Sequence, residues 1–236
     1  MTRSSSSAID AAELAKHLEH TLLSPVATRA DLDRHCAEAR THTLFAVCVQ
    51  PLWVQRCAEL LAATGVKLVT VVGFPFGSTT RAVKAFECAT AVQQGAAEID
   101  MVLNLGALKA ADRFGVRDDI AAVVQAADGR PVKVILETAY LTDSEKQLGC
   151  ALAEEAGARF VKTSTGFARP EFQGQGGAGQ SLGATVHDIQ LLRAAVGDRL
   201  GVKASGGIRS RELACELLAA GADRIGTSAG PALVAP

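Results

Sequence analysis

Two lysines stand at matching positions in short apolar segments of the chain, and each is a candidate amine nucleophile. Lys162 lies in Phe160-Val-Lys-Thr-Ser-Thr-Gly166, and Lys203 lies in Gly201-Val-Lys-Ala-Ser-Gly-Gly207. In both segments the lysine follows an apolar stem and precedes small polar residues, which is typical of the carboxyl end of a buried parallel strand. Alternate residues of a strand share a face, so each lysine points the same way as the serine two positions later. If the strands are neighbours, the two amines face one cavity.

Two lysines in one cavity differ in acidity from ordinary surface lysines. Burial and like-charge repulsion both favour the neutral amine, so the pKa of one of the two is expected to fall. At a pKa of about 10.4 only about 4 in 10,000 lysines are neutral at pH 7, whereas a pKa of about 7.5 makes roughly a quarter neutral. The neutral amine attacks an aldehyde or ketone to give an imine. The pair therefore indicates Schiff-base chemistry. Lysines that extend to solvent or pair with carboxylates are the alternative interpretation.

A carboxylate in a third segment is a candidate for proton transfer. Asp100 lies in Glu98-Ile-Asp-Met-Val-Leu-Asn104 between two large apolar residues, which predicts a buried side chain. Near lysines it would be ionised, and it could then exchange protons with an imine intermediate and with substrate hydroxyls. A static ion pair with Lys203 is an equally open interpretation.

Two turns of small residues predict an anion site. Ser205-Gly-Gly207 and Gly226-Thr-Ser228 offer free backbone N–H groups, and a helical segment follows each turn. They come after the last two predicted strands, which is the usual position of a phosphate in barrel enzymes. The sequence therefore predicts a phosphate seat beside the lysines.

A repeated unit must position these segments. Ala- and Leu-rich helical stretches end at a glycine, and a short Val- and Ile-rich run follows. Glycine permits the left-handed conformation with which a helix ends before the chain turns into a strand. These glycines recur at the roughly 30-residue spacing of a βα unit. They are Gly65, Gly95, Gly129, Gly157, Gly197 and Gly221.

The candidate strands are Leu18–Leu23, Ala46–Gln50, Lys67–Val72, Glu98–Leu103, Val132–Leu136, Arg159–Lys162, Leu200–Lys203 and Asp223–Gly226. Eight strands alternating with helices predict an α/β fold, a single (β/α)₈ TIM barrel over residues 1–236. A doubly wound sheet is the alternative that composition allows. We expect residues 1–8 to form a flexible tail. Residues 173–183 are expected to form a Gly-rich loop over the catalytic mouth, acting either as a lid or as an insertion without a role.

Composition and charge indicate which partners and which cellular compartment to expect. A net charge of −1 favours neither nucleic acid nor anionic membrane as a partner. Six isolated cysteines without metal-ligand spacing favour reduced, buried thiols. The polar N-terminus lacks the apolar core of a signal peptide, and no apolar run reaches the length of a membrane span. We therefore expect a cytoplasmic protein without a metal site.

The chain resembles the deoxyribose-phosphate aldolase family from about Leu18 to Ser228. The motifs that carry the resemblance are Leu18-Glu-His-Thr-Leu-Leu23, Val72-Gly-Phe-Pro-Phe-Gly77, Val83-Lys-Ala-Phe-Glu87, Glu98–Asn104, Val161–Phe167 and Val202–Ile208. The resemblance implies reversible cleavage of 2-deoxy-D-ribose 5-phosphate to D-glyceraldehyde 3-phosphate and acetaldehyde. It also implies a class I mechanism through a lysine Schiff base, no cofactor, and a homodimer.

The same resemblance implies a role for each candidate residue. Lys162 would form the Schiff base, Lys203 would lower its pKa and help to move protons, and Asp100 would share that relay. The implied substrate and phosphate contacts are Thr165, Gly166, Gly206, Gly207, Gly226 and Ser228. The chain departs from the family at Glu19, where the motif has the shorter aspartate.

Two other functions stay open at this point. Another phosphate-binding barrel enzyme, such as a different Schiff-base aldolase or an isomerase, would share the two anion-binding turns. A catalytically silent phosphosugar-binding barrel is the second alternative, suggested by Glu19 and the Gly-rich segment. Borohydride trapping of an aldehyde on Lys162 would separate the aldolase from the silent barrel.

Overall fold

Eight parallel strands close into a barrel in a computed structural model that describes residues 9–173 and 181–235. The strands are β1 (Leu18–Leu22), β2 (Ala46–Val49), β3 (Lys67–Val72), β4 (Glu98–Val102), β5 (Val132–Ile135), β6 (Phe160–Lys162), β7 (Gly201–Ser205) and β8 (Arg224–Thr227). Each strand pairs with the next along the chain, and β8 pairs with β1. The predicted (β/α)₈ barrel is confirmed, and the open doubly wound sheet is excluded.

Helices follow the strands and cover the outside of the barrel. The described helices are α1 (Ala11–Ala15), α2 (Arg29–Thr41), α3 (Val54–Leu61), α4 (Arg81–Gln93), α5 (Leu105–Lys109), α6 (Arg113–Ala126), α7 (Asp143–Glu155), α8 (Val186–Val196), α9 (Arg211–Ala219) and α10 (Gly230–Val234). Several begin at a threonine whose side chain accepts a hydrogen bond from the first turn. Thr28 and Thr142 form complete capping boxes with an acidic residue three positions later.

The barrel interior is divided into an apolar and a charged part. The inward positions of β2 and β3 carry small apolar side chains, among them Ala46, Cys48 and Val69. A larger apolar cluster joins the outward faces of the strands to the helices. The inward positions of β1 and of β4 to β7 carry charged side chains, described below. The charged half of the barrel therefore needs internal counter-ions.

Some of the remaining expectations from the sequence concern residues that the structure describes, and others do not. All six cysteines are free thiols, and five of them are buried. In the described part of the chain, no helix combines the length and the apolar character that crossing a membrane requires. The expected tail of residues 1–8 lies outside the described residues, and so does the segment 174–180 of the expected Gly-rich loop.

Two stacked histidines lie between β1 and α2. The rings of His20 and His35 are 3.7 Å apart between centroids. His20 Nε2 lies 3.0 Å from Glu38 Oε2, and His35 Nε2 lies 3.1 Å from the His20 carbonyl oxygen. Burial and, to a smaller extent, the neighbouring His20 lower the pKa of His35 to about 3. His35 is therefore neutral in the folded protein at neutral and mildly acidic pH.

This neutral histidine predicts a loss of stability on acidification. Below about pH 6.5 the unfolded chain binds a proton on His35 that the folded chain does not bind. The free energy of unfolding should therefore fall as the pH decreases from 6.5 towards 3, by about 1–2 kcal/mol between pH 7 and pH 5. Urea denaturation of the wild type and of His35→Gln measures this. The variant, whose amide does not titrate, should show the smaller pH slope, and equal slopes would contradict the prediction.

Candidate active site

The two predicted lysines lie side by side in the barrel. Strands β6 and β7 pair with Lys162 opposite Lys203. Lys162 Nζ donates a hydrogen bond to Asp100 Oδ2 at 2.8 Å, and Lys203 Nζ donates to the same oxygen at 2.6 Å. All three side chains are at least 97% buried. One carboxylate oxygen thus bridges the two amines, and the three residues predicted to act together are in contact.

A third lysine, which is not among the predicted site residues, completes the cluster. Lys133 on β5 lies opposite Asp100 in the strand register. Its Nζ donates to Asp100 Oδ1 at 2.9 Å and lies 2.7 Å from Glu98 Oε2. The sequence did contain a signal for it. A charged residue inside the apolar run Val132–Leu136 is as unusual as Asp100 in its own strand.

The residue that departs from the family motif also belongs to the cluster. Glu19 is fully buried, contacts Lys203 Nζ, and lies 3.6 Å from Lys133 Nζ. The cluster therefore holds three lysines and three carboxylates, and its charges sum to zero when all six are ionised. We call these six residues the charge cluster. They are Glu19, Glu98, Asp100, Lys133, Lys162 and Lys203.

Acidity in the charge cluster follows from these contacts. Burial raises the pKa of Asp100, but three lysines outweigh burial and hold the pKa well below its usual range. Burial lowers the pKa of Lys203, yet Asp100 and Glu19 outweigh burial and raise it. At Lys203 the attraction of two carboxylates outweighs repulsion between the amines, because both carboxylates contact its Nζ directly. Lys203 is therefore an ammonium group and Asp100 a carboxylate.

The three lysines differ in their number of carboxylate partners. Lys133 Nζ lies within 3.6 Å of three carboxylates, and Lys203 Nζ contacts two of them. Lys162 Nζ has one carboxylate partner in the described part of the chain, Asp100. Of the three lysines, Lys162 therefore has the fewest neighbouring carboxylates to stabilise its ammonium form.

A cavity of about 440 Å³ opens above the charge cluster. Its wall includes Lys162, whereas Lys203 and Asp100 lie beneath it and do not reach the wall. All the predicted substrate and phosphate contacts line it, namely Thr165, Gly166, Gly206, Gly207, Gly226 and Ser228. A larger surface cavity of about 700 Å³, beside α2 and the start of β3, contains none of the predicted residues. The predicted site residues therefore meet at the smaller cavity.

The predicted anion turns form one side of this cavity. Gly206 and Gly207 have φ values of 90° and 75°, a conformation that favours glycine. A Cβ atom on Gly226 would lie 3.2 Å from Lys203 Cε, so a glycine on β8 leaves room for the lysine. Arg209 also lines the cavity and is exposed. It adds a guanidinium group, which suits phosphate, to the predicted backbone donors.

Residues 6–232 match the family described as DeoC/LacD family aldolase. The chain belongs to this aldolase family. Relatives support the assignment along nearly the whole length. The chain is 52% identical to a deoxyribose-phosphate aldolase of Brevibacillus brevis, over 93% of this chain and 94% of the relative. It is 51% identical to deoxyribose-phosphate aldolase 1 of Bacillus licheniformis, over 94% of this chain and 95% of the relative.

A solved structure of a relative also resembles this chain. The deoxyribose phosphate aldolase of Aeropyrum pernix superimposes with a TM-score of 0.84 at 33% identity, over 95% of this chain and 91% of the other. That aldolase is described as a tetramer. For the present aldolase, the homodimer implied by the sequence resemblance stays a prediction.

Proposed function

We propose that this aldolase reversibly cleaves 2-deoxy-D-ribose 5-phosphate to D-glyceraldehyde 3-phosphate and acetaldehyde through a Schiff base on Lys162. One observation carries the proposal: Lys162 is the lysine of the charge cluster that lines the cavity, and among residues 9–173 and 181–235 it has a single carboxylate partner. An imine-forming amine needs access to the carbonyl carbon and a neutral form. The relatives named deoxyribose-phosphate aldolase support the choice of substrate.

The proposed reaction begins with attack of the Lys162 amine on the aldehyde carbon of the open-chain sugar. Loss of water gives a protonated imine, which accepts the electron pair of the C2–C3 bond as that bond breaks and the C3 hydroxyl gives its proton to water. D-glyceraldehyde 3-phosphate leaves, and protonation of the resulting enamine followed by hydrolysis releases acetaldehyde and the free amine. The protonated imine is itself the electron sink, so the proposed steps need no metal ion.

The contacts within the charge cluster suggest how protons move. Asp100 Oδ2 contacts the amines of Lys162 and Lys203 at once. In the proposed mechanism this oxygen takes a proton from Lys162 Nζ before the attack. The Lys203 ammonium group then gives a proton to the hydroxyl of the carbinolamine, which leaves as water, and Asp100 passes the first proton on to Lys203. Both residues act in the immediate surroundings of Lys162 Nζ, because neither lines the cavity.

Borohydride reduction in the presence of acetaldehyde tests the proposal. The reduced imine should appear as a covalent adduct on the peptide that contains Lys162, identified by mass spectrometry. An active, folded protein without an adduct would contradict the Schiff-base mechanism, and an adduct on Lys133 or Lys203 would reassign the nucleophile. Binding of the phosphosugar without turnover or adduct would favour the catalytically silent barrel.

Arg209 provides a test of the phosphate seat. Arg209→Ala is expected to raise the KM for 2-deoxy-D-ribose 5-phosphate about tenfold, because a guanidinium–phosphate contact is charge-assisted. Trapping of acetaldehyde, which has no phosphate, should be unchanged. Arg113→Ala on the surface of α6 is the matched control. An equal loss with unphosphorylated 2-deoxyribose would show that Arg209 does not recognise the phosphate.

A further inference from the structure

A buried carboxylate outside the charge cluster follows the end of β5. Glu137 is 2% exposed and has φ 55° and ψ 65°. This left-handed conformation is uncommon for a residue with a side chain, and it persists where surrounding contacts hold it in place. The reaction proposed above assigns no role to Glu137.

The partner of Glu137 is Thr165, on the cavity wall. Thr165 N lies 3.2 Å and 3.3 Å from the two carboxylate oxygens, and Thr165 Oγ1 donates to Oε2. The same hydroxyl oxygen accepts a hydrogen bond from Phe167 N at 2.9 Å. Thr165 therefore donates hydrogen bonds to Glu137 from both its backbone N–H and its hydroxyl group. The hydroxyl that the sequence resemblance assigns to the substrate is already committed as a donor.

Neighbours of Glu137 extend this contact along the loop after β6. Thr138 N donates to Thr163 O at 2.9 Å, and the Tyr140 hydroxyl accepts from Arg169 N at 2.7 Å. The segment from Glu137 to Tyr140 thus supports the chain that runs from the end of β6 across the cavity mouth. Glu137 supplies the charge-assisted contact of this series, and hydrogen bonds to charged groups are the stronger ones.

No hydrogen bond joins Glu137 to Lys162 in the described part of the chain, and Glu137 does not line the cavity. The charge of Lys162 acts on Glu137 more weakly than the contacts with Thr165 do. A change at Glu137 should therefore reach the substrate through the Thr165 turn. Acetaldehyde, with two carbon atoms, needs only the amine of Lys162 to form an imine. The full phosphosugar must also fit against Thr165 and Gly166.

We propose that Glu137 is a positioning residue that fixes the Thr165–Phe167 wall of the cavity and thereby sets the affinity for the phosphosugar. The inference rests on the proposed aldolase function. It separates two properties of the site, since the wall determines how well the long substrate binds and the charge cluster determines how fast the amine reacts.

A double-mutant cycle tests the inference. Glu137→Gln and Thr165→Val should each raise the KM for 2-deoxy-D-ribose 5-phosphate about tenfold, the loss expected for a charge-assisted hydrogen bond. In Glu137→Gln the kcat should change less than about threefold, because losing uniform binding raises KM and leaves kcat nearly unchanged. The double variant should be no worse than either single variant, because both changes remove one interaction. In Glu137→Gln the rate of borohydride trapping of acetaldehyde on Lys162 should change by a smaller factor than the KM does.

Controls keep the test decisive. Glu59→Gln on the exposed surface of α3 is the matched control for the loss of a carboxylate. If Glu137→Gln does not fold, Thr165→Ser and Thr165→Val replace it, and the serine variant should recover the KM that the valine variant loses. An unchanged KM in Glu137→Gln, additive effects in the cycle, or equal KM values for the serine and valine variants would overturn the inference. Failure of the proposed function looks different, since the wild type itself would then give no adduct on Lys162.

Discussion

Replacing Lys162 by methionine is expected to lower kcat/KM for 2-deoxy-D-ribose 5-phosphate by about 10⁴-fold or more, the scale seen when an enzyme loses its nucleophile. Methionine has similar length and volume but no amine, so it cannot form an imine. The neighbours of Lys162 cannot substitute for it, because Lys133 and Lys203 are buried beneath the cavity and have more carboxylate partners. Steady-state kinetics and borohydride trapping on the same preparation measure the loss.

The matched control is Lys16→Met, directly after α1 and at the opposite end of the barrel from the cavity. Lys16 is exposed and pairs with Glu13 of α1, so its loss should leave both assays at the wild-type value. Substantial turnover by Lys162→Met, with the adduct appearing on another lysine, would show that the choice of nucleophile is wrong.

Asp100→Asn is expected to reduce both stability and rate. Asp100 contacts all three lysines, so its neutralisation leaves the buried charge cluster with a net charge of +1. Removing one partner from a buried ion pair costs about 3–5 kcal/mol. We expect the free energy of unfolding to fall by that amount and kcat to fall by about 10³-fold, since proton transfer at Lys162 loses its acceptor. Chemical denaturation and steady-state kinetics measure the two effects.

Asp119→Asn separates stability from chemistry. Asp119 is buried and accepts a hydrogen bond from Lys84 Nζ at 2.6 Å, between α6 and α4. Its neutralisation should destabilise the fold by a comparable amount while leaving the kcat of the folded enzyme unchanged. If Asp100→Asn keeps its stability to within about 1 kcal/mol and its kcat to within about tenfold, neither the charge balance nor the proton relay holds.

The fold and the positions of Lys162 and Lys203 were predictable because local patterns encode them. The spacing of glycines and Val-rich runs predicts the barrel strands, and small residues after Lys162 and Lys203 mark the ends of β6 and β7. Barrel closure then brings these ends together. The predicted contacts from Thr165 to Ser228 line one cavity for the same reason.

The counter-ions were not predictable in the same way. Glu19 and Lys203 are 184 positions apart in sequence and meet because β1 and β7 lie on either side of β8. The sequence does not show that Glu19 lies beside Lys203. From the sequence alone, repulsion between the two amines was therefore expected to set the pKa values of the lysines. The left-handed conformation of Glu137 likewise depends on a partner in the next strand's loop, and nothing in its own segment indicates it.

The zero net charge of the charge cluster has a consequence for the course of the reaction. A protonated imine on Lys162 carries the same single positive charge as the ammonium group that it replaces. In the proposed mechanism the barrel interior therefore has the same total charge before the attack and in the protonated imine. In a medium of low dielectric constant a change of net charge would require surrounding dipoles to reorient. Formation of the proposed imine conserves charge and avoids this reorganisation, so the rigid packing around the six residues need not relax in that step.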